Sequence, residues 1–278
     1  MTTPARANKR QSKGGPRTYS WPPLPPHEFE VISVTSAVEG GLPKPYLVGW
    51  AAKEAAMCAV DDLDIVTKMV ERGDEQAAIN HIKGAAYRKR DAAGNRGTIV
   101  HSAIEAYLAG KRLTDEDIEA AMKERRVTPK QAKPTKGMVR GMMEFLYDEE
   151  PEVYWSEKTI FNRTYQYAGT PDIICRMRVG SEKYPVVVDC KTSKSIYDET
   201  AYQLTAYARG EFVGTDDGKE LPLLPTDEKI EYGVIVRPLA NGKYEKAVFA
   251  LRDDLFERFT HMVGVASAAD IEQTARRP

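Results

Sequence analysis

The densest chemistry in the sequence lies between Tyr167 and Ser195, where two aspartates and a lysine sit on segments that read as paired strands. Val186, Val187 and Val188 form a continuous apolar run, which suits a strand covered on both faces, and the run leads straight into Asp189-Cys190-Lys191. Side chains alternate along a strand, so Asp189 and Lys191 share one face while Cys190 points to the other. A hairpin turn centred on Gly180-Ser181 sets Asp172 directly opposite Asp189. Two carboxylates facing each other across a hairpin repel, and a shared proton, a nearby cation or a bound metal must offset that. Lys191 is one cation already on that face. A hard divalent ion such as Mg²⁺ is commonly held by one or two carboxylates, water and substrate phosphates, so the pair suits one. The same trio would also serve as a buried ion cluster that only fixes the register, and the spacing leaves both readings open.

Two further pairs have the spacing of neighbours on one helix face. His101 and Glu105 lie at i and i+4 on a helix that begins near Gly97-Thr98, and Gln203 and Tyr207 lie at i and i+4 on the helix after the lysine strand. Gln203 and Tyr207 can both donate hydrogen bonds to a phosphate or a base edge. Each pair alone is also what an ordinary amphipathic helix would carry.

The elements that must position these residues follow from periodicity. Residues 1–26 are rich in Pro, Gly, Ser and basic side chains and end in Trp21-Pro-Pro-Leu-Pro-Pro26, so they read as a disordered or extended basic tail. From Phe29 a short apolar alternation leads to Ser33-Val-Thr35, which reads as a strand or helix cap. Helical spacing then predicts helices over 46–71, 74–90, 97–110, 115–125 and 134–149. The texture changes near Pro151, with strands expected at 153–162, 165–178 and 184–191. A helix at 197–211, a polar loop, strands at 231–238 and 243–250 around Asn241-Gly242, and a helix at 252–270 complete the pattern. The expectation is an α/β (α+β) fold with a mixed central sheet flanked by helices. A single domain over 27–270 would have a helical part, 27–150, supplying His101, a core over 151–270 and a tail over 271–278.

Taken together, these residues resemble the PD-(D/E)XK nuclease superfamily, whose signature stands here as Pro171-Asp172 followed by Asp189-Cys190-Lys191. The order of a Gly-Thr-x-x-His helix (Gly97 to His101), Glu157, a Gly-Thr-Pro-Asp strand, Asp-x-Lys-Thr and Gln-x-x-x-Tyr (Gln203 to Tyr207) is similar to the RecB-like branch. That branch includes the CRISPR-associated RecB-like exonucleases and related exonucleases of bacteriophages. Ser33-Val-Thr35, Lys44-Pro45 and Leu47-x-x-Trp50 also look like the start of the phage members, so the resemblance spans about 31–210. It implies a restriction-endonuclease-like core and a metal-dependent DNA exonuclease of recombination, replication or repair. It also implies His101, Asp172, Asp189 and the backbone carbonyl of Cys190 as ligands of Mg²⁺ or Mn²⁺. Lys191 would orient the attacking water, Gln203 and Tyr207 would hold the DNA strand, and Glu157 would support the site.

Many relatives on this branch carry four cysteines around an iron–sulfur cluster, but no cysteine follows Cys190 here, so no cluster is expected. Packing such as the C-terminal helix against 46–71 would then tie the ends together. The three cysteines show no disulfide or zinc spacing. There is also no bilayer-length apolar run and no signal-peptide stretch, so a reduced cytoplasmic setting without membrane is expected. The formal net charge of -1 hides three basic groups, around Arg6–Arg17, Lys83–Arg96 and Lys123–Arg140, which allow a DNA partner. A recombinase or single-strand-annealing protein and a homo-oligomer stay open. So do a structure-specific endonuclease and a non-catalytic DNA-binding subunit as alternative functions.

Overall fold

The computed structural model describes residues 7–8, 16–20, 30–215 and 217–267. The described chain opens with β1 (Ala7–Asn8), β2 (Thr18–Ser20) and β3 (Glu30–Ser33). Then come α1 (Val34–Gly41), α2 (Tyr46–Asp61), α3 (Leu63–Glu71), α4 (Glu75–Lys83), α5 (Ala85–Leu108), α6 (Asp115–Glu124) and α7 (Pro129–Glu149). Next are β4 (Glu152–Ser156), β5 (Ile160–Asn162), β6 (Tyr167–Gly169), β7 (Ile173–Val179) and β8 (Glu182–Cys190). The chain continues through α8 (Thr200–Ala208), β9 (Phe212–Gly214), β10 (Glu220–Leu221), β11 (Tyr232–Pro238), β12 (Tyr244–Ala250) and α9 (Asp253–Ser267).

Two mixed sheets result. The five-stranded sheet has the order β12-β11-β8-β7-β4, and the other, among the described residues, runs β1-β2-β3-β6-β5-β9-β10. In the first, β11 lies parallel to β8 and the remaining pairs are antiparallel. Parallel neighbours need a crossover, and α8 supplies it. The valine run of β8 is covered on both faces, as its composition demands. Val186, Val188 and Cys190 join a core with Ile99, Val100, Ile104, Met142 and Phe145 of α5 and α7. Val187 faces the other way, toward Leu204 of α8, Phe259 of α9 and Val34 of α1. The chain is thus a mixed α/β fold, with helices packed on both faces of the five-stranded sheet. None of the described helices is long and apolar enough to cross a membrane.

Several element boundaries differ from the periodicity. The expected helix 46–71 breaks into α2 and α3 at Asp62, which adopts φ −106° and ψ 27°. The break expected between 90 and 97 falls instead at Gly84, and α5 runs unbroken through 24 residues. Gly94 inside it costs only about 1 kcal/mol relative to alanine, too little to end a helix packed on a sheet. Helix α7 starts at Pro129, not near 134, because Thr128 and Gln131 form a capping box and Pro129 suits the first helical position. Pro134 inside it removes one backbone donor, a loss the helix absorbs near its start. Within the stretch read as a tail, Thr18–Ser20 pairs with β3 and Tyr19 is buried. The rest of 1–26 apart from residues 7–8 and 16–17, and all of 271–278, lie outside the described residues. Inside the expected polar loop, Glu220–Leu221 adds an edge strand.

The ends are tied differently from the expected contact with 46–71. Helix α9 packs on α1, so closely that a Cβ on Gly41 would stand 2.4 Å from Met262 Cβ and one on Gly40 2.8 Å from Ala266 Cβ. Helix α7 meets the β11–β12 turn in the same way: a Cβ on Gly137 would lie 1.9 Å from Ala240 O, and one on Gly141 2.2 Å from Lys243 O. Both carbonyls are backbone and cannot swing aside. Gly137→Ala should therefore cost about 1–3 kcal/mol of stability through overpacking. Urea unfolding would show this as a lower midpoint at unchanged slope, and an unchanged midpoint would contradict the close approach.

Candidate metal-dependent active site

The site forms where two hairpins change sheets. Strands read from composition as continuous, 153–162 and 165–178, are each broken, and β4 and β7 pair in one sheet while β5 and β6 pair in the other. The same register continues through the break, where the Glu157 N–H donates to Asp172 O at 3.0 Å. Glu157 adopts φ +52°, a left-handed conformation that costs a residue other than glycine about 1–3 kcal/mol. That kink turns its carboxylate toward Asp172. The β7–β8 hairpin has the anticipated register: Ile173 pairs with Val188 and Val179 with Glu182 across Gly180-Ser181. Gly180, at φ +65°, has the residue type and sign of a type II′ turn. Asp172, one residue before β7, therefore stands across from Asp189, the penultimate residue of β8.

Each aspartate has its own partners. Asp172 Oδ1 is 2.8 Å from His101 Nδ1, and its Oδ2 accepts from the Cys190 N–H at 2.5 Å. Asp189 Oδ2 is 2.7 Å from Lys191 Nζ, and its Oδ1 accepts from Gln203 Nε2 at 3.1 Å. The same Gln203 amide donates to the Tyr207 hydroxyl at 2.8 Å. Tyr207 is buried against Gly169, where a Cβ would come within 2.5 Å of Tyr207 Cε1. Glycine in the Gly-Thr-Pro-Asp segment thus makes room for the tyrosine. His101 Nδ1 also lies 3.7 Å from Glu157 Oε1.

All the sequence-predicted site residues meet here, from α5 (His101), the β4–β5 link (Glu157), the start of β7 (Asp172), the end of β8 (Asp189, Cys190, Lys191) and α8 (Gln203, Tyr207). The Cys190 thiol points into the hydrophobic core, as alternation requires, while its peptide N–H holds Asp172. Sequence reasoning did not foresee that N–H contact, nor the engagement of Gln203 by Asp189 and Tyr207, because backbone donors and buried partners leave no mark on residue type. Glu105 is exposed and reaches the site only through its charge, which helps raise the pKa of Glu157. Of the expected basic groups, Arg6, Lys9, Arg10 and Lys13 lie outside the described residues. Within the other two, Lys89 pairs with Glu54, Arg90 with Asp91, Lys136 with Glu119 and Arg140 with Asp115.

Charge in the site is crowded and half desolvated. Burial, then the neighbouring Asp172, raises the pKa of Asp189 against the pull of Lys191. Burial is also the largest influence on Glu157, raising its pKa, with His101 opposing. For Lys191, burial alone would lower the pKa, but Asp189 and Asp172 outweigh it and the net shift is upward. Lys191 is therefore a fixed cation and not a base. Burial likewise pulls His101 down, but Asp172, Glu157 and Asp189 together raise it to about 10.

The residues present fit a divalent cation. Glu157 Oε1 and Asp189 Oδ2 are buried and make no well-aligned hydrogen bond, even though the Lys191 ammonium stands beside the second. His101, Glu157 and Asp172 offer ligand atoms that all lie within 4.8 Å of one another. A set of carboxylate oxygens with one imidazole suits Mg²⁺ or Mn²⁺. His101, Glu157, Asp172 and Asp189 would hold such an ion.

No family model matches the chain, and no curated protein matches it. A solved structure of LHK-Exo in complex with dAMP aligns with 65% of this chain and 89% of that chain, at 11% sequence identity and a TM-score of 0.32. A likeness that loose identifies neither a family nor an activity.

The His101 shift has a sign that can be measured. Its folded pKa is raised, so without metal the His101–Asp172 pair stabilises fully below 6.5 and loses that contribution as pH rises through about 10. In EDTA, the melting-temperature margin of wild type over His101→Gln should be largest in mild acid and shrink toward about pH 10. A margin that grows with pH would contradict this. As a ligand, the imidazole must be neutral, so Mn²⁺ binding near neutrality should expel about one more proton from wild type than from His101→Ala. Calorimetry in two buffers of different ionisation enthalpy reads that difference.

Proposed function

We propose that this chain is a divalent-metal-dependent deoxyribonuclease that hydrolyses phosphodiester bonds at DNA ends. The observation that carries the reading is the convergence of His101, Glu157 and Asp172, with Asp189 across the hairpin from Asp172, two buried carboxylate oxygens that make no well-aligned hydrogen bond, and Lys191 beside the one on Asp189. A purely structural ion cluster would gain from pairing those oxygens, whereas a metal site keeps them open. When bound, the ion would lower the pKa of a coordinated water and neutralise charge on the phosphoryl oxygens.

The chain's own groups have separate tasks. Lys191, held charged by Asp189, would stabilise charge developing on the phosphate. Gln203 orients Asp189 and is itself held by Tyr207. Because Tyr207 is buried, it acts as a positioning residue, while half-buried Gln203 is the one of the pair open to a DNA strand. The order of the elements from Gly97 to Tyr207 supports a RecB-like exonuclease of the kind bacteriophages carry, working in the cytoplasm of a host during recombination or repair.

End-labelled linear and closed circular DNA, single- and double-stranded, should be offered with Mg²⁺, Mn²⁺ or EDTA. Only linear DNA should be digested, and only with metal. Lys191→Ala and Asp189→Ala should each lower the rate by about 10²–10³-fold or more, the size of effect seen when one electrostatic stabiliser is removed. Cleavage of the circles would make the protein an endonuclease. Binding without cleavage would make it a non-catalytic subunit, and activity in EDTA would end the metal reading.

A further inference from the structure

A second cluster of metal-binding side chains lies outside this site, in the helical arm formed by α2, α3 and α4. Cys58 and Asp62 stand one turn apart at the end of α2, and His81 occupies the last turn of α4. Cys58 Sγ is 3.5 Å from Asp62 Oδ2, and His81 Nε2 is 2.7 Å from the same oxygen. The three ligand atoms all lie within 4.8 Å of one another. We propose that Cys58, Asp62 and His81 form a binding site for a thiophilic divalent cation, Zn²⁺, which clamps the α2–α3 junction to α4.

The arm's packing supports a clamp independently of the ligand set. Cys58 is the only buried residue of α2, Ala78 the only one of α4, and α3 has none. Large apolar side chains such as Val48, Val60, Leu63 and Ile79 stay exposed on the same helices. A helical unit with so little core gains little from hydrophobic burial, the circumstance in which small modules use a structural metal. One of the arm's two buried positions carries a sulfur, with an imidazole and a carboxylate close to it.

The chemistry also fits in detail. Tetrahedral zinc holds sulfur at about 2.3 Å and nitrogen or oxygen at about 2.0–2.2 Å, so its ligands sit roughly 3.3–3.8 Å apart. The Cys58–Asp62 separation already lies in that range, and the shorter His81–Asp62 contact, 2.7 Å, would open by roughly 0.6 Å to reach it. As found, burial chiefly keeps the thiol protonated, and it donates to Asp62. The ion would take that proton's place, with the thiol proton released to solvent. Arg88 at the start of α5 donates to the sulfur at 3.4 Å, which balances a thiolate next to a carboxylate. The donor set of one sulfur, one nitrogen and one oxygen prefers zinc to magnesium, whereas the active-site carboxylates prefer the harder ion. The two sites would not compete.

The test uses the full-length chain, stripped of metal and titrated with Co²⁺ as a spectroscopic stand-in for Zn²⁺, following the near-ultraviolet thiolate-to-cobalt absorption. Wild type and Asp172→Ala should both develop the band at about one ion per chain, displaced by Zn²⁺ but not by Mg²⁺. Cys58→Ser should show no band, and His81→Asn should bind at least about tenfold more weakly. Zn²⁺ should raise the melting temperature of wild type and leave that of Cys58→Ser unchanged. A wild type without the band overturns the site, as does an equal band in Cys58→Ser, which would put the ion on Cys175 or Cys190. Should Cys58→Ser fail to fold, Zn²⁺ affinities of His81→Asn and Asp62→Asn equal to that of wild type would overturn it. None of these readouts depends on nuclease activity.

Discussion

Two aspartates, each about nineteen-twentieths buried, face each other across one hairpin, and most of the molecule is arranged around the cost of that. A buried carboxylate that loses its partner costs about 3–5 kcal/mol, so neither can stand alone. Asp172 takes an imidazole from α5 and a peptide N–H from β8, and Asp189 takes an ammonium from its own strand and an amide from α8. Two of those four contacts come from helices, α5 and α8, and the other two from the end of β8. Polar demand at the centre thus sets how α5 and α8 dock, while the valine run beneath provides the bulk of the burial. The compensation is incomplete: Glu157 Oε1 makes no hydrogen bond and Asp189 Oδ2 has only the unaligned ammonium of Lys191, and that shortfall is what turns a structural cluster into a candidate metal site.

The geometry that creates this crowding is the bend shared by two hairpins. Had 153–162 and 165–178 stayed in one sheet, Glu157 and Asp172 would be one more cross-strand pair on an extended ladder. Splitting the pairs between two sheets forces Glu157 into a left-handed conformation and turns it toward His101. The strain of about 1–3 kcal/mol is the sort that persists only where surrounding contacts over-determine a residue. Here those contacts are the Glu157–Asp172 backbone hydrogen bond and the two sheets pulling the chain apart on either side.

The helical arm follows a different logic. The core around the five-stranded sheet has two large hydrophobic clusters, one on each face. The arm made of α2 to α4 is nearly coreless, and its one buried sulfur collects a carboxylate, an imidazole and a guanidinium. Helix α5 joins the two regions, carrying Arg88 at one end and His101 more than three turns on, so whatever fixes the arm also fixes the helix that delivers the histidine.

Residue types and spacing were enough to show the alternation that sends Asp189 and Lys191 to one face and Cys190 to the core. They also showed the hairpin register that opposes the two aspartates and the i, i+4 pairing of Gln203 with Tyr207. These are local properties, set by strand pleat, turn length and helical pitch. Boundaries fared worse wherever packing outweighed propensity: α5 continues through Gly94 because the sheet holds it, and α7 starts before Pro134 because a capping box holds its first turn. The strand breaks at Glu157 and Asp172 were invisible, since a chain that switches sheets keeps the composition of one that does not. The Cys58–Asp62–His81 cluster was hidden for a related reason: its histidine comes from another helix, and only the fold of the arm brings it within reach. What the sequence by itself determined was which side chains share a face. Which faces meet, and which charges are left without a donor when they do, was decided by the tertiary structure, because burial and distance between remote segments exist only once the chain has closed on itself.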